Sequence, residues 1–238
     1  MKALILALSF LTRLPMPHVE ADAGDFARAI RLYPVAGLVI GIVVAGAAWL
    51  GAHIDPWAGA LAALAAWVWM TGALHLDGLA DLSDGLGAAH GDRSRLLAVM
   101  ADPHIGSFGV VALAMQLIAK LVLLHRVPPG GWAVVALIPV AARIGPLVWA
   151  RLLPPLRPGG LGALVARAVR PLDLIGWTIA VLVLGLLYPP LATAPLAILI
   201  LSLWFRRKLG GVTGDVHGAG IELTETALLL AAALYALP

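Results

Sequence analysis

From residue 33 onward the chain is a succession of apolar stretches, over 33–53, 56–76, 105–125, 131–150, 172–191, 194–205 and 222–237. Most are long enough to cross a hydrocarbon core of about 30 Å as a helix. The last two are short and are expected to begin or end within the headgroup region. Of the 238 residues, 61% are hydrophobic and only 12% are charged. A soluble domain is roughly one quarter charged, so this chain has too little charge to coat a soluble surface. That excludes a soluble globular domain, a disordered chain and a nucleic-acid-binding module with a basic face. The expected fold is all-α: a polytopic integral membrane protein with about seven transmembrane helices, forming one membrane-embedded domain over 1–238.

The stretch 3–11 is apolar but too short to span. A signal peptide cleaved near Ala21-Asp22-Ala23 would put its cleavage site a dozen residues past the apolar run, with Arg13, Pro15 and Pro17 between. A short N-terminal interfacial or re-entrant helix fits better. The chain has no cysteine, which excludes disulfides, zinc-thiolate and iron–sulfur sites and a thiolate nucleophile.

Basic residues set the orientation. Lys2, Arg13, Arg28 and Arg31, then Arg93 and Arg95, then Arg151, Arg157, Arg167 and Arg170, then Arg206, Arg207 and Lys208 fall in one set of connections. The opposite set holds only Arg126. The first face is therefore expected to be cytoplasmic, with the N-terminus inside and the C-terminus outside. Of thirteen acids, only Asp55 falls on the outer face. Acids contribute little to topology, so their segregation points to chemistry on the cytoplasmic side.

Three stretches carry candidate chemistry. In His75-Leu-Asp77-Gly-Leu-Ala-Asp81-Leu-Ser-Asp84-Gly85, a helix would place Asp77, Asp81 and Asp84 within about 60° of one another. Three like charges on one face repel, and a hard divalent cation bound by carboxylate oxygens would relieve them. The alternative is a solvated acidic helix start favoured by the helix dipole. His75 lies about 200° round the helix from Asp77 and is expected to face away from it, in a packing or orienting role. In Gly210-Gly-Val-Thr213-Gly-Asp215-Val-His217-Gly-Ala-Gly-Ile-Glu222-Leu-Thr-Glu225, five glycines in eleven residues argue against a regular helix. A loop there, Gly214 included, would let backbone N–H groups approach phosphate. Arg206, Arg207 and Lys208 precede it, and Glu222 and Glu225 would open the last span. In Asp102-Pro-His104-Ile-Gly106, an acid and an imidazole enter the third span; a solvated histidine is the plainer reading, a base or phosphate donor the sharper one. Two charges fall inside expected spans. Lys120 either snorkels or is functional, while Arg143 lies deeper and needs a phosphate or an acid as internal partner.

Together these residues resemble the cobalamin synthase family, the adenosylcobinamide-GDP ribazoletransferases of late B₁₂ synthesis. The resemblance runs through Phe10-Leu-Thr-Arg13-Leu-Pro15-Met-Pro17, Tyr33-Pro34-Val-Ala-Gly37, Thr71 to Asp81 and Asp84-Gly85, Met100-Ala-Asp102 to Ile105-Gly106, Ala119-Lys120, and Gly210 to Asp215 and on to Glu222. His104, where the family often has arginine, and His217 depart from it. The resemblance implies a Mg²⁺-dependent enzyme of the bacterial cytoplasmic membrane that joins adenosylcobinamide-GDP to α-ribazole, or its 5′-phosphate, and releases GMP. Its partners would be these small molecules and the lipid membrane, with other late-pathway enzymes as neighbours and no nucleic acid. On that reading Asp77, Asp81, Asp84 and Asp215 are metal ligands, and Asp84, Asp102 and Glu222 are the candidates for catalysis. Arg206, Arg207, Lys208, Gly214, His104, Glu225 and Arg143 are candidate substrate contacts. Rivals are a membrane transferase of the CDP-alcohol phosphotransferase type, whose later aspartate pattern is missing after Gly85, and a transporter, which would place its charged site near the midplane across internal repeats.

Overall fold

In the computed structural model of the chain, which describes residues 1–157 and 161–236, the regular elements are helices. They are α1 (Lys2–Leu11), α2 (Ala23–Arg31), α3 (Tyr33–Gly51), α4 (Pro56–Thr71), α5 (Leu74–Ala89), α6 (Arg93–Val99), α7 (Ser107–Arg126), α8 (Trp132–Ala142), α9 (Gly145–Leu152), α10 (Leu161–Ala168), α11 (Pro171–Leu187), α12 (Ala194–Lys208) and α13 (Gly214–Tyr235). Among the described residues the one β-type contact is an isolated bridge between Pro155 and Val212.

Five stretches are long and apolar enough to cross a membrane: α3, α7, α8 with α9, the turn Pro189–Thr193 with α12, and α13. Their outer faces bear large apolar side chains open to the surroundings, such as Val111, Met115 and Ile118 on α7 and Leu199, Ile200 and Leu203 on α12. A continuous apolar exterior of this kind is a lipid-facing surface. Apolar α11 has 17 residues and falls short of that length.

The expected crossing over 56–76 is corrected. It breaks after Thr71, and α5 leaves α4 at an angle of 85°. The cause is local: Gly72 (φ 58°) and Ala73 (φ 60°) both adopt the left-handed conformation, which ends α4 and turns the chain. The acidic helix therefore runs across the direction of α4 rather than extending it. The last span is corrected too. It starts at Gly214, not Glu222, and its expected end at Leu237 lies outside the described residues.

Two cores hold the bundle. The larger gathers Ile40 and Val44 of α3, Leu64 and Trp67 of α4, Ile138 of α8 and Leu228 and Leu229 of α13. At its centre α3 and α8 touch backbone to backbone, because a Cβ at Gly41 would collide with the Ala136 carbonyl. Gly41→Val is accordingly expected to lower stability by about 1–3 kcal/mol, the usual cost of overpacking a tight contact; thermal unfolding in detergent measures it. The smaller core packs Ala7, Leu8 and Leu11 of α1 on Ala29, Ile30 and Tyr33, and on Leu147 and Ala150 of α9. This gives the short N-terminal helix a docked position, and Arg13 N–H donates to the Met70 carbonyl at 2.8 Å.

Candidate active site

The acidic helix α5 packs along the first turns of α13. The approach is close enough that a Cβ at Gly78 would lie 2.6 Å from the Asp215 carbonyl oxygen. The glycines of 210–220 thus do not prevent a helix, as the sequence suggested. From Gly214 onward they lie inside α13, where Gly218 lets the backbone of His75 approach (3.3 Å from its Cα to an added Cβ). Small residues at such crossings let helices approach more closely than larger side chains allow.

This packing brings Asp77 and Asp81 of α5 together with Asp215 of α13. Asp77 is exposed and Asp81 half-buried. The Asp81 carboxyl is pushed up to about 6, first by burial and then by the charges of Asp77, Asp215 and Asp84. Asp215 is fixed from its own helix start. Thr213 caps α13 by accepting the Val216 N–H at 3.2 Å, and its hydroxyl donates to Asp215 Oδ2 at 3.3 Å. Beside Asp77 and Asp215 lies a cavity of about 110 Å³, walled also by Tyr33, Pro146, His75 and His217. His75, expected to face away from Asp77, lines the same cavity as Asp77. Both imidazoles are buried, and among the described residues their ring nitrogens have no hydrogen-bond partner. His217 is stacked on Trp149, ring centroids 6.1 Å apart.

Asp84 is placed differently from the expectation of a metal ligand or base. It is buried, and its two oxygens accept the N–H groups of Gly106 (2.7 Å) and Gly109 (2.9 Å). It caps the N-terminus of α7 from another helix, where a carboxylate meets unsatisfied N–H groups and the positive end of the dipole. Asp84→Ala is expected to cost about 1.5–3 kcal/mol, the range for hydrogen bonds to a charged group, read as a lowered unfolding temperature; Asp84→Asn should fall between it and the parent chain.

Glu222, Glu225 and Arg143 are corrected as well. Because α13 begins at Gly214, the two glutamates lie about 12 and 16 Å along its axis. There they form a fully buried ion network rather than a substrate contact at the mouth. Lys120 Nζ bridges Glu222 Oε2 and Glu225 Oε2, each at 2.6 Å. Arg143 Nη1 reaches Glu225 Oε1 and the Pro139 carbonyl, each at 3.0 Å. Gln116 Nε2 donates to Glu222 Oε2 at 2.8 Å, and Lys120 lies 4.5 Å from the Trp67 ring centre. Arg143 has the internal acid that its depth demanded, and Lys120 is buried instead of snorkelling. Two cations balance two anions, tying α4, α7, α8 and α13 together.

Asp102 and His104 pair with each other, Nδ1 to Oδ1 at 2.7 Å, in an exposed turn before α7. Arg206, Arg207 and Lys208 form the exposed last turn of α12, where cations complement the helix dipole. Among the described residues the cation beside the acids is instead Arg157, its Nη1 3.9 Å from Asp215 Oδ2. Sequence reading passed over it. Its only signal was its place in a proline-rich connection on the basic face, which does not reveal that this connection is sewn to Val212.

Among the described residues, no three His, Asp or Glu side chains stand ready in a metal-ligating cluster. The donor chemistry nevertheless fits a hard divalent cation: three carboxylates contributed by two helices packed against each other.

A helical membrane bundle with carboxylates converging beside a cavity defines a membrane-embedded protein with an acid-lined site. The comparisons make the class specific. The sequence pattern of the family described as cobalamin-5-phosphate synthase matches residues 3–233, and the chain belongs to that family. It is 55% identical over 239 residues to an adenosylcobinamide-GDP ribazoletransferase of Novosphingobium aromaticivorans, covering 98% of this chain and 97% of that protein. It is 47% identical to the protein of the same name from Thiobacillus denitrificans (98% and 95% covered). It is 36% identical to that of Brevibacillus brevis (97% of each). No solved structure matches the chain.

Proposed function

We propose that this chain transfers the cobinamide-bearing phosphoryl group of adenosylcobinamide-GDP to ribazole. The acceptor's ribose hydroxyl oxygen forms the new bond to the phosphorus next to the cobinamide. The bond from that phosphorus to the bridging oxygen breaks, and GMP leaves with the electron pair. The observation that carries this reading is the meeting of Asp77, Asp81 and Asp215 beside a cavity, in a member of this family.

Phosphoryl transfer asks a protein mainly for positioning and for neutralisation of charge. Asp77, Asp81 and Asp215 would hold Mg²⁺. When bound, that ion would screen the phosphate oxygens from the nucleophile and lower the pKa of a hydroxyl on it. Asp77 lines the cavity and is exposed, which supports its carboxylate as the group that would take the hydroxyl proton. Thr213 keeps Asp215 turned to the site. The apolar wall around Tyr33 and Pro146 offers a flat base a surface away from bulk water. Asp84 and the Lys120–Glu225 network act one step back, by fixing α7 and α13. The site lies on the cytoplasmic face of a bacterial inner membrane, with the N-terminus on that side, because the basic connections lie there.

The test is product formation by the detergent-purified protein given adenosylcobinamide-GDP, α-ribazole and Mg²⁺. GMP and the joined corrinoid are expected mole for mole, and only when both substrates are present. GMP released without ribazole, or products from a CDP-alcohol instead, would overturn the reading.

A further inference from the structure

We propose that Arg93 and Arg157 form the clamp that holds the donor's diphosphate against the carboxylates of Asp81 and Asp215. The inference rests on the transfer reaction above and names the residues that position its donor.

Arg157 is fixed from two directions. Its Nη2 donates to the Leu97 carbonyl of α6 at 2.9 Å, and its Nη1 lies 3.9 Å from Asp215 Oδ2. The connection that carries it is pinned to the glycine-rich loop by main-chain bonds. Leu156 N–H donates to the Val212 carbonyl (2.8 Å) and Val212 N–H to the Pro154 carbonyl (3.0 Å). Because the main chain already secures the loop, the Arg157 side chain is not needed for that purpose. It stays 38% exposed, with donors to spare.

Arg93 stands four residues before Leu97 on α6, one turn away on the same side. Its guanidinium packs over Gly210, whose φ is 74°; a Cβ there would come within 3.1 Å of Arg93 Nη1. Arg93 is also exposed. The two arginines thus bracket the segment from Gly210 to Asp215, one at the start of the loop and one at the first turn of α13. A guanidinium fork matches phosphate oxygens in pairs. The opposing need is equally plain: an anionic donor must approach three carboxylates, and Arg157 Nη1 stands 3.9 Å from the carboxylate of one of them, Asp215. The basic run Arg206 to Lys208 lies at the exposed end of α12 instead.

The experiment is equilibrium binding of adenosylcobinamide-GDP to the purified full chain in EDTA at low and high salt, so that the arginines are read without a metal ion. Arg157→Gln removes the charge while leaving a polar side chain; Arg93→Gln is its companion, and Arg126→Gln, on the opposite face, is the control. The first two are expected to weaken binding at least tenfold at low salt and to flatten its salt dependence. The KM for α-ribazole should be unchanged in both, and cobinamide lacking the nucleotide should bind all proteins alike. Unchanged donor binding in both variants, or a loss seen in Arg207→Gln instead, would overturn the clamp. If Arg157→Gln no longer unfolds cooperatively, Arg157→Lys decides: a several-fold loss of donor affinity with normal α-ribazole KM is expected, and parental affinity overturns the proposal. A parent chain that binds no donor and releases no GMP would count against the transfer reaction itself, an outcome separate from these.

Discussion

Lys120→Met is expected to destabilise the protein by about 3–5 kcal/mol, the cost of removing one partner from a buried ion pair. Lys120 Nζ is the shared partner of Glu222 and Glu225, at 2.6 Å from each, and all three side chains are fully buried. Without it two carboxylates face each other in the interior, and Arg143 reaches Glu225 but is not seen to reach Glu222 among the described residues. Neither Trp67 nor Gln116 supplies a charge in return. The expected signature is a large fall in unfolding temperature in detergent. The double variant Lys120→Met/Glu222→Gln leaves the Arg143–Glu225 pair balanced and should recover at least half of the loss. Such recovery is the mark of charge pairing, since a cavity or packing defect at 120 would remain. A double variant no better than the single one would mean that the network matters by shape alone.

Asp81→Asn should lower GMP release by about a hundred- to a thousandfold, the scale of effect when one group that stabilises transition-state charge is lost. The fold should survive. Asp81 is half-buried among like charges, and neutralising it relieves repulsion rather than breaking a bond. The metal-free variant is therefore expected to melt no lower than the parent. Adding Mg²⁺ should raise the parent's unfolding temperature, since an ion at a hundred times its Kd stabilises by about 2.7 kcal/mol, and should do so much less for Asp81→Asn. Loss of activity with loss of fold would instead make Asp81 a structural residue.

The apolar runs made the membrane bundle legible, because a lipid-facing helix must show its composition along the chain. The three-aspartate face of α5 was legible in angle but not in height. Asp84 lies only about 20° from Asp77 round the helix, yet seven residues carry it about 10 Å along the axis. That distance takes it from the site to the start of α7, where Gly106 and Gly109 claim both oxygens. Glycine misled for a similar reason. Its permissive backbone suggested a loop over 210–220, while its missing side chain was what the contact between α5 and α13 required. That error moved the start of α13, and with it Glu222 and Glu225, from the mouth to the interior. The angle between His75 and Asp77 round α5 does not reveal that both residues line one cavity. Arg157 was illegible because only the fold joins 154–156 to 212.

The central claim is that the carboxylates of α5 and α13 hold the divalent ion at which transfer occurs. Iron-directed cleavage tests it most directly: Fe²⁺ replaces Mg²⁺, and ascorbate with peroxide generates radicals that cut the chain beside the ion. The account predicts cuts confined to residues near 77–81 and 213–216, suppressed by excess Mg²⁺ and missing in Asp81→Asn. Cuts centred on 102–104 or 222–225, or cuts that persist in Asp81→Asn, would contradict it.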